Sequence, residues 1–430
     1  MNKEGYKKTE LGYLPLDWDV KKLGEITNNV TIGLVKTMTA HYCEQGVPLI
    51  RNSNIKEDKI DKENMVFLTY EFAEANENKR LKVGDIVTVH TGDIGTSAVI
   101  EKDMDGAHGF ATLNTTVNPE IIYNYYLSKY FNSNMYKKQA MSFSTGDGRF
   151  NLNLKDFVNS LIPIPPLKEQ KKIAEILSSV DAAIEKTEQV IAKTEEVKKG
   201  LMQQLLTKGI GHTEFKQTEI GEIPIEWSVK RIKDLVSFSG GAQPPRKEFV
   251  FEPREGYIRL IQIRDYKNDK YATYIPKELA KKLCDATDIM IGRYGPPIFQ
   301  ILRGIEGAYN VALIKAIPDE IYLNKDYLYY FLQRQDLFNL IDHLSQRSSG
   351  QTGIDMEALN NFGFPLPQLE EQIEIVKIIR NIENKIHTEK IKYSKLNAVK
   401  TGLMQQLLTG KTRVKEATMY SFLKELGYYE

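Results

Sequence analysis

The clearest periodicity in the chain belongs to two long, mostly polar stretches. From Leu167 to about Thr207, apolar or small side chains recur at Ile173, Leu177, Val180, Ile184, Thr187, Ile191, Thr194, Leu201 and Leu205, in alternating steps of four and three. That spacing holds one stripe on one helix face and is the pattern of a coiled-coil seam. Lys198 interrupts it. Pro163, Pro165 and Pro166 precede the stretch, and Gly209 marks its end, because glycine readily takes the left-handed conformation that stops a helix. A second stretch keeps the same phase at Ile375, Ile379, Ile382, Ile386, Tyr393, Leu396, Leu403 and Leu407, with Glu389 and Lys400 as polar interruptions. At about 1.5 Å of rise per residue, each helix is roughly 60 Å long.

Ahead of each helix the pattern changes to short β-branched and aromatic runs broken by Gly, Pro and Asn. Asp85-Ile-Val-Thr-Val-His90 and Asp288-Ile-Met-Ile-Gly-Arg293 read as strands, and 124–131 and 326–333 as short helices. The blocks so formed, 18–161 and 227–363, are expected to be α+β domains with a largely antiparallel sheet.

The chain is written twice. Residues 9–23, Thr-Glu-Leu-Gly-Tyr-Leu-Pro-Leu-Asp-Trp-Asp-Val-Lys-Lys-Leu, return at 218–232 as Thr-Glu-Ile-Gly-Glu-Ile-Pro-Ile-Glu-Trp-Ser-Val-Lys-Arg-Ile, so Trp18 and Trp227 are equivalent. Residues 162–170, Ile-Pro-Ile-Pro-Pro-Leu-Lys-Glu-Gln, return at 364–372 as Phe-Pro-Leu-Pro-Gln-Leu-Glu-Glu-Gln. Gly-Leu-Met-Gln-Gln-Leu-Leu-Thr at 200–207 recurs identically at 402–409. Within the blocks the correspondence is weaker: Asp85 and Gly92 match Asp288 and Gly295, and Ile50-Arg51 matches Ile258-Arg259. The pattern is one framework carrying two different sets of loops.

A helix seam can be covered by its own domain, by the other seam, or by a second copy of the chain. The duplication favours the second arrangement. Each helix follows an equivalent domain, so a pseudo-two-fold axis makes the pair antiparallel and puts the globular blocks at opposite ends. Gly200 and Gly402 lie inside the helices at a cost of about 1 kcal/mol each relative to Ala. Their recurrence points to close backbone approach there, or simply to inheritance from the duplication.

Composition narrows the picture. A hydrophobic fraction of 41% and a charged fraction of 27% are those of a folded globular protein. No run approaches the eighteen or so apolar residues of a membrane span, and the N-terminus lacks the apolar core of a signal peptide, so the cytoplasm is expected. Cys43 and Cys284 stand in no metal-like spacing and read as reduced thiols. Net charge is only +1, so any surface for nucleic acid must be local or completed by a partner.

Catalytic motifs fail one by one. Gly410-Lys411-Thr412 resembles the end of a phosphate loop, but Gln405 stands where its first glycine belongs and a helix, not a strand, precedes it. Gly295-Pro296-Pro297-Ile298 lacks the acid or amide and the aromatic of an amino-methyltransferase motif. There is no Gly-x-Gly-x-x-Gly, and His41, His90, His108, His212, His343 and His387 form no metal-spaced pair.

The doubled Pro-x-x-Trp opening, the doubled Pro-x-Pro-x-Leu-x-Glu-Gln lead into a long helix and the doubled Gly-Leu-Met-Gln-Gln-Leu-Leu-Thr end together resemble the specificity subunits of Type I restriction–modification systems, over nearly the whole chain. The resemblance implies an α+β chain: two pseudo-repeated α/β target-recognition domains separated by two long antiparallel coiled-coil helices. The first domain with its opening segment would occupy 1–161, the first helix 162–209, the second domain 210–363, the second helix 364–410 and a tail 411–430. It further implies that each domain reads one half of a bipartite site in double-stranded DNA and that the helices bind two methyltransferase subunits. Restriction subunits would add translocation and cleavage, with S-adenosylmethionine, ATP and magnesium held by partners and no cofactor, metal or catalytic residue in this chain. The alternatives are a non-catalytic coiled-coil scaffold whose globular ends bind proteins, and an enzyme with an unfamiliar site.

Base edges are read by Arg, Lys, Asn and Gln, steadied by phosphate contacts. In the first domain the candidates are Lys36 in the loop 31–37, Arg51, Asn52 and Asn54, His90 and Thr91, and Arg149 in the loop 144–149. In the second they are Gln243, Arg246 and Lys247 in a Gly-Gly-Ala-Gln-Pro-Pro-Arg-Lys loop, then Arg259, Gln262, Arg264, Arg293 and Tyr294 at expected strand ends, and Arg347 and Gln351 in a polar glycine loop.

Overall fold

Fully apolar or β-branched runs in both halves form strands buried on both faces, and sheet pairing follows from them. The structure, a computed structural model, describes residues 4–143, 150–347 and 353–414, the side chains at 346 and 347 excepted. Two units result: Met1–Glu188 with Ile391–Glu430, and Gln189–Lys390.

In the first unit, Ile86–Val89 is buried at every position. It runs antiparallel to Ser97–Val99 on one side and to Thr112–Val117 on the other, and the latter pairs with Thr27–Ile32. A second sheet places Val47–Arg51 antiparallel to Val66–Leu68 and parallel to His108–Phe110. The second unit repeats both. Ile289–Gly292 lies between Gln300–Leu302 and Leu313–Pro318, which pairs with Val236–Gly240. Tyr257–Ile261 runs antiparallel to Tyr274–Pro276 and parallel to Gly307–Tyr309. In each unit the first sheet is antiparallel as expected, and the second carries one parallel pairing. The chain between its two strands passes through the other sheet, which gives the long crossover a parallel pair requires.

Short helices close each unit over an aromatic core. Tyr126, Tyr130 and Phe131 on Asn124–Phe131 are fully buried, as are Tyr327, Tyr330 and Phe331 on Lys325–Phe331. Asn324 caps the latter by accepting from the backbone N–H of Asp326 and Tyr327.

The long helices span Leu167–Lys208 and Leu369–Leu407. The proline-rich leads that the expected helix boundaries at 162 and 364 assigned to them are strands instead. Leu161–Ile164 pairs antiparallel with Asp19–Lys22, and Gly363–Leu366 with Ser228–Arg231. Proline tolerates such an edge because it needs no ladder N–H.

Within each unit a segment of one long helix runs antiparallel to a segment of the other. In the first unit Lys400 Nζ lies 2.8 Å from Asp181 and the Tyr393 hydroxyl donates to Glu188 at 2.7 Å. In the second, Lys198 Nζ lies 2.7 Å from Glu383 and Lys390 2.6 Å from Glu195. The lysines that interrupt the seams are thus cross-helix ion pairs at equivalent places, a device that specifies register. The seams also join the domain cores. Ile173, Leu177, Val180, Leu403 and Leu407, with Ile184 at the margin, share one core with Trp18 and Tyr126. Leu205, Ile375 and Ile379, with Leu201 at the margin, share another with Trp227 and Tyr327. Ile386 is buried, and Ile191, Ile382, Tyr393 and Leu396 are half-buried. Of the two readings of the mid-helix glycines, close backbone approach is not met among the described residues. A Cβ on Gly200 or Gly402 would meet nothing within 4 Å.

The repeated motifs meet one another. Trp18 Nε1 donates to Glu169 at 3.1 Å and Trp227 Nε1 to Glu371 at 2.8 Å. Next in sequence, Gln170 and Gln372 are wholly buried. The Gln170 amide donates to the carbonyls of Ile121 and Pro165 and accepts from Tyr123 N–H. Gln372 does the same with Tyr322, Pro367 and Asn324. Gly209 and Gly410, both at positive φ (66° and 65°), follow the helices. A Cβ would strike Trp227 and Glu371 at the first and Pro15 at the second.

Candidate nucleic-acid interface

In the first unit the candidate side chains divide into engaged and available. Asn54 is 2% exposed. It accepts from Arg51 N–H and donates to the carbonyls of Asp61 and Glu63. It is a turn residue inside the fold, which corrects its nomination as a base contact. The Arg51 guanidinium is held by the Asn64 carbonyl at 2.6 Å and by Asn54 Oδ1 at 3.4 Å. Asn52, half-buried beside them, has an Oδ1 with no partner among the described residues. Lys36 is exposed at the surface, bonded to Asn76 Oδ1 at 2.8 Å, 4.9 Å from the Phe72 ring centre.

His90 and Thr91 follow the central strand, where Leu152 N–H donates to the His90 carbonyl and Thr91 Oγ1 to Asn151 Oδ1. His90 Nδ1 lies 2.8 Å from Thr91 Oγ1, and burial lowers its pKa, keeping the ring neutral near pH 7. Arg149 lies outside the described residues.

In the second unit Arg293 and Tyr294 occupy the corresponding strand end. The Arg293 guanidinium sits 5.4 Å from the Tyr294 ring centre, and Tyr294 is partly exposed beside Gly353. Gln351 lies outside the described residues, and Arg347, at the end of the helix Gln335–Arg347, has no described side chain. Arg259 is inside the strand Tyr257–Ile261, not at its end, and is paired with Asp269 at 2.6 Å. This corrects its expected strand-end position, and its guanidinium is engaged with Asp269. The buried Asp265 lies 3.9 Å from Arg259 and 3.8 Å from the exposed Arg264. Burial raises the Asp265 pKa against the lowering by the Gln262 backbone N–H and by both arginines. Arg264 also reaches the Tyr271 carbonyl.

The equivalence of Ile50-Arg51 with Ile258-Arg259 is also corrected. Arg51 N–H donates to Asn54 Oδ1 at 3.1 Å as Gln262 N–H donates to Asp265 Oδ2 at 3.0 Å, so Arg51 matches Gln262. By contrast, Asp85 and Asp288 do match. Each accepts from the backbone N–H three residues earlier, at 2.8 and 3.1 Å. Gly92 and Gly295 share φ values of 96° and 95°. Lys315 and Lys325 bond Asp288, and this outweighs burial and lowers its pKa. Burial pushes the Cys284 thiol up to about 11, consistent with an unreactive thiol.

Gln243, Arg246 and Gln262 come together. With Phe249 and Asn310 they line a groove of about 610 Å³ on the second unit. Lys247, next to it, is 82% exposed and 3.7 Å from Glu248. Sequence reasoning missed Phe249 and Asn310; the only signal for Asn310 is its place directly after the strand Gly307–Tyr309. Among the described residues no helix is long and apolar enough to cross a membrane.

Two copies of one mixed framework, with differing polar loops and a paired-helix core, define a duplicated recognition protein. The chain belongs to the Type I restriction modification DNA specificity domain family, which matches residues 15–196 and 224–398. Over 434 residues it is 31% identical to a protein of Methanocaldococcus jannaschii named as the type I restriction enzyme MjaX specificity subunit, covering 96% of this chain and 97% of that one. It is 23% identical to the EcoKI specificity subunit of Escherichia coli, covering 86% and 83%. In fold it resembles the type I restriction–modification S subunit of M. genitalium, with a TM-score of 0.56 and 14% identity over 91% of this chain and 96% of that one. A chain of another solved type I R-M system gives a TM-score of 0.58 at 17% identity, over 93% and 99%. The protein is a DNA-recognition subunit of the type I restriction–modification class.

Proposed function

We propose that each domain reads one half of a bipartite, asymmetric duplex site and that the long helices bind two methyltransferase subunits. The observation that carries this is the repeat itself: matching sheets and joints place His90 and Thr91 at a strand end in one copy, and Arg293 and Tyr294 at the corresponding strand end in the other. A duplicated frame with unlike polar loops suits two unlike half-sites, because base edges discriminate through the identity of the donors and acceptors offered to them. The chain contributes recognition alone. Methyl transfer from S-adenosylmethionine, and any ATP- and magnesium-dependent translocation and cleavage, belong to methyltransferase and restriction subunits in the cytoplasm.

The test is selection of duplexes from a randomised library by the full chain assembled with its methyltransferase. Enrichment of two unlike half-sites supports the proposal, as does binding that weakens steeply with salt. A single palindromic site, or methyl incorporation by the purified chain alone, overturns it.

A further inference from the structure

The two units close the same place differently. Gly33 N–H donates to Thr112 O at 2.8 Å and Leu34 N–H to Gly109 O at 2.7 Å; Gly241 donates to Leu313 at 3.0 Å and Ala242 to Tyr309 at 3.1 Å. Ala242 thus stands where the first unit has Leu34. A short helix follows in each, Thr39–His41 after Met38 and Arg246–Glu248 after Pro245. In the parallel pairing Phe110 faces Arg51, and Tyr309 faces Ile261, so Asn310 comes opposite Gln262.

In the first unit Leu34, Met38, Leu49 and Leu68 are buried with Phe72 and Phe110 packed on them. In the second unit Ala242 and Asn310 stand where the first has Leu34 and Phe110, and a groove of about 610 Å³ opens there, lined by Phe249 and Leu260 as well as by Gln243, Arg246, Gln262 and Asn310. The same fold seals this place when its side chains are large and apolar. The second copy keeps the lower apolar layer, with Leu260, Ile275 and Ala308 buried and Phe249 packed on them, but lacks the large side chains above it, and this leaves Gln262 and Asn310 as a polar part of the floor in reach of solvent.

The floor has a defined donor and acceptor set. Gln262 Nε2 donates to Thr273 Oγ1 at 3.1 Å, which leaves its carbonyl oxygen as the available end. Arg246 is exposed at the rim, and among the described residues nothing bonds its guanidinium. No carboxylate lines the groove. A two-pronged donor beside a carbonyl acceptor matches the major-groove edge of a G·C pair: guanine offers O6 and N7 as acceptors, and cytosine its N4 amino group as a donor.

The geometry points to this groove as a reader of one G·C pair in the second domain's half-site, with Arg246 on guanine and Gln262 on cytosine. The assignment rests on the DNA-reading function proposed above. The first domain, roofed at the equivalent place, reads by other side chains.

The test uses the full chain with its methyltransferase, selecting from a library randomised in both half-sites. Two variants are compared with the parent: Arg246→Ala, and Ala242→Leu/Asn310→Phe, which copies the first unit's roof and so keeps a packing the fold already accepts. Both are expected to lose preference for G·C at one position of one half-site, by about 5- to 150-fold for the arginine, with the other half-site unchanged. Equal weakening on all sequences would make Arg246 a phosphate contact and overturn the assignment, as would an unaltered preference in the roofed variant. A parent that enriches no sequence would remove the DNA-reading function as a whole.

Discussion

Trp18 donates its indole N–H to Glu169, which Arg413 also grips through Nε at 2.9 Å and Nη2 at 2.8 Å while its other face holds Asp17. The second copy keeps the indole bond from Trp227 to Glu371 but sets His212 in the arginine's place, 2.8 Å from Glu371 and 3.1 Å from Glu226. The doubled Trp and Glu-Gln motifs are thus two halves of one joint, made where a domain meets the start of its long helix.

Removing Glu371 strips both the Trp227 indole and the His212 ring of a hydrogen-bond partner. Glu371→Ala is expected to destabilise the second unit by about 2 kcal/mol, the scale of a hydrogen bond to a charged group. The chain has only two tryptophans, one in each unit, so denaturant unfolding followed by fluorescence in a Trp18→Phe background reports this half alone. An unshifted midpoint there would show that the joint is not stabilising.

Gln170, itself wholly buried, bonds three backbone groups, of which the Pro165 carbonyl is bonded in a buried place and the other two in part-buried ones. Gln170→Ala removes all three bonds, at about 1–3 kcal/mol for a buried group left unpaired. The expected loss is therefore larger than that of Glu371→Ala, and Gln170→Glu, which sets a buried carboxylate oxygen against two carbonyl oxygens, is expected to cost at least as much as alanine. Thermal unfolding of the three proteins checks the order.

How far such relationships can be read in advance depends on how local they are. The helix seams, the strands around Ile86 and Ile289 and the short helix at 124–131 follow from spacing along the chain, and the structure places elements there. The reading loops do not follow in this way. Arg51, Asn54 and Arg259 look available in sequence, but their partners Asn64, Asp61 and Asp269 are chosen by loop closure. The Pro-rich leads hide their strand character because their partners, Asp19–Lys22 and Ser228–Arg231, lie far away in sequence. The three-residue error in matching Arg51 has the same origin: identity in an Ile-Arg pair outweighed a capping bond that only geometry reveals.

Gly200 and Gly402 sit in open space on helices, so among the described residues nothing opposes a side chain there. Gly200→Ala and Gly402→Ala are each expected to stabilise the protein by about 1 kcal/mol. A lower melting temperature would contradict the open environment.

His108 is wholly buried. Burial, with nearby Arg80, lowers its pKa against the raising effect of the Ala73 and Lys79 carbonyls. Below the unfolded value near 6.5 the unfolded chain binds a proton that the folded chain resists. This contribution to stability is therefore full above about pH 6.5 and declines as pH falls. His108→Phe is expected to flatten the stability profile as pH falls below about 6.5; an unchanged slope would exclude His108 as its source.

The central claim is that the two domains read independently. The most direct measurement exchanges residues 236–345 for the matching block of another type I specificity subunit, leaving both opening motifs and both long helices in place. The exchanged chain is assembled with its methyltransferase and the methylated sites are sequenced. One half-site is expected to change to that of the donor while the other stays as in the parent. If both half-sites change together, or neither does, the two-reader account is wrong.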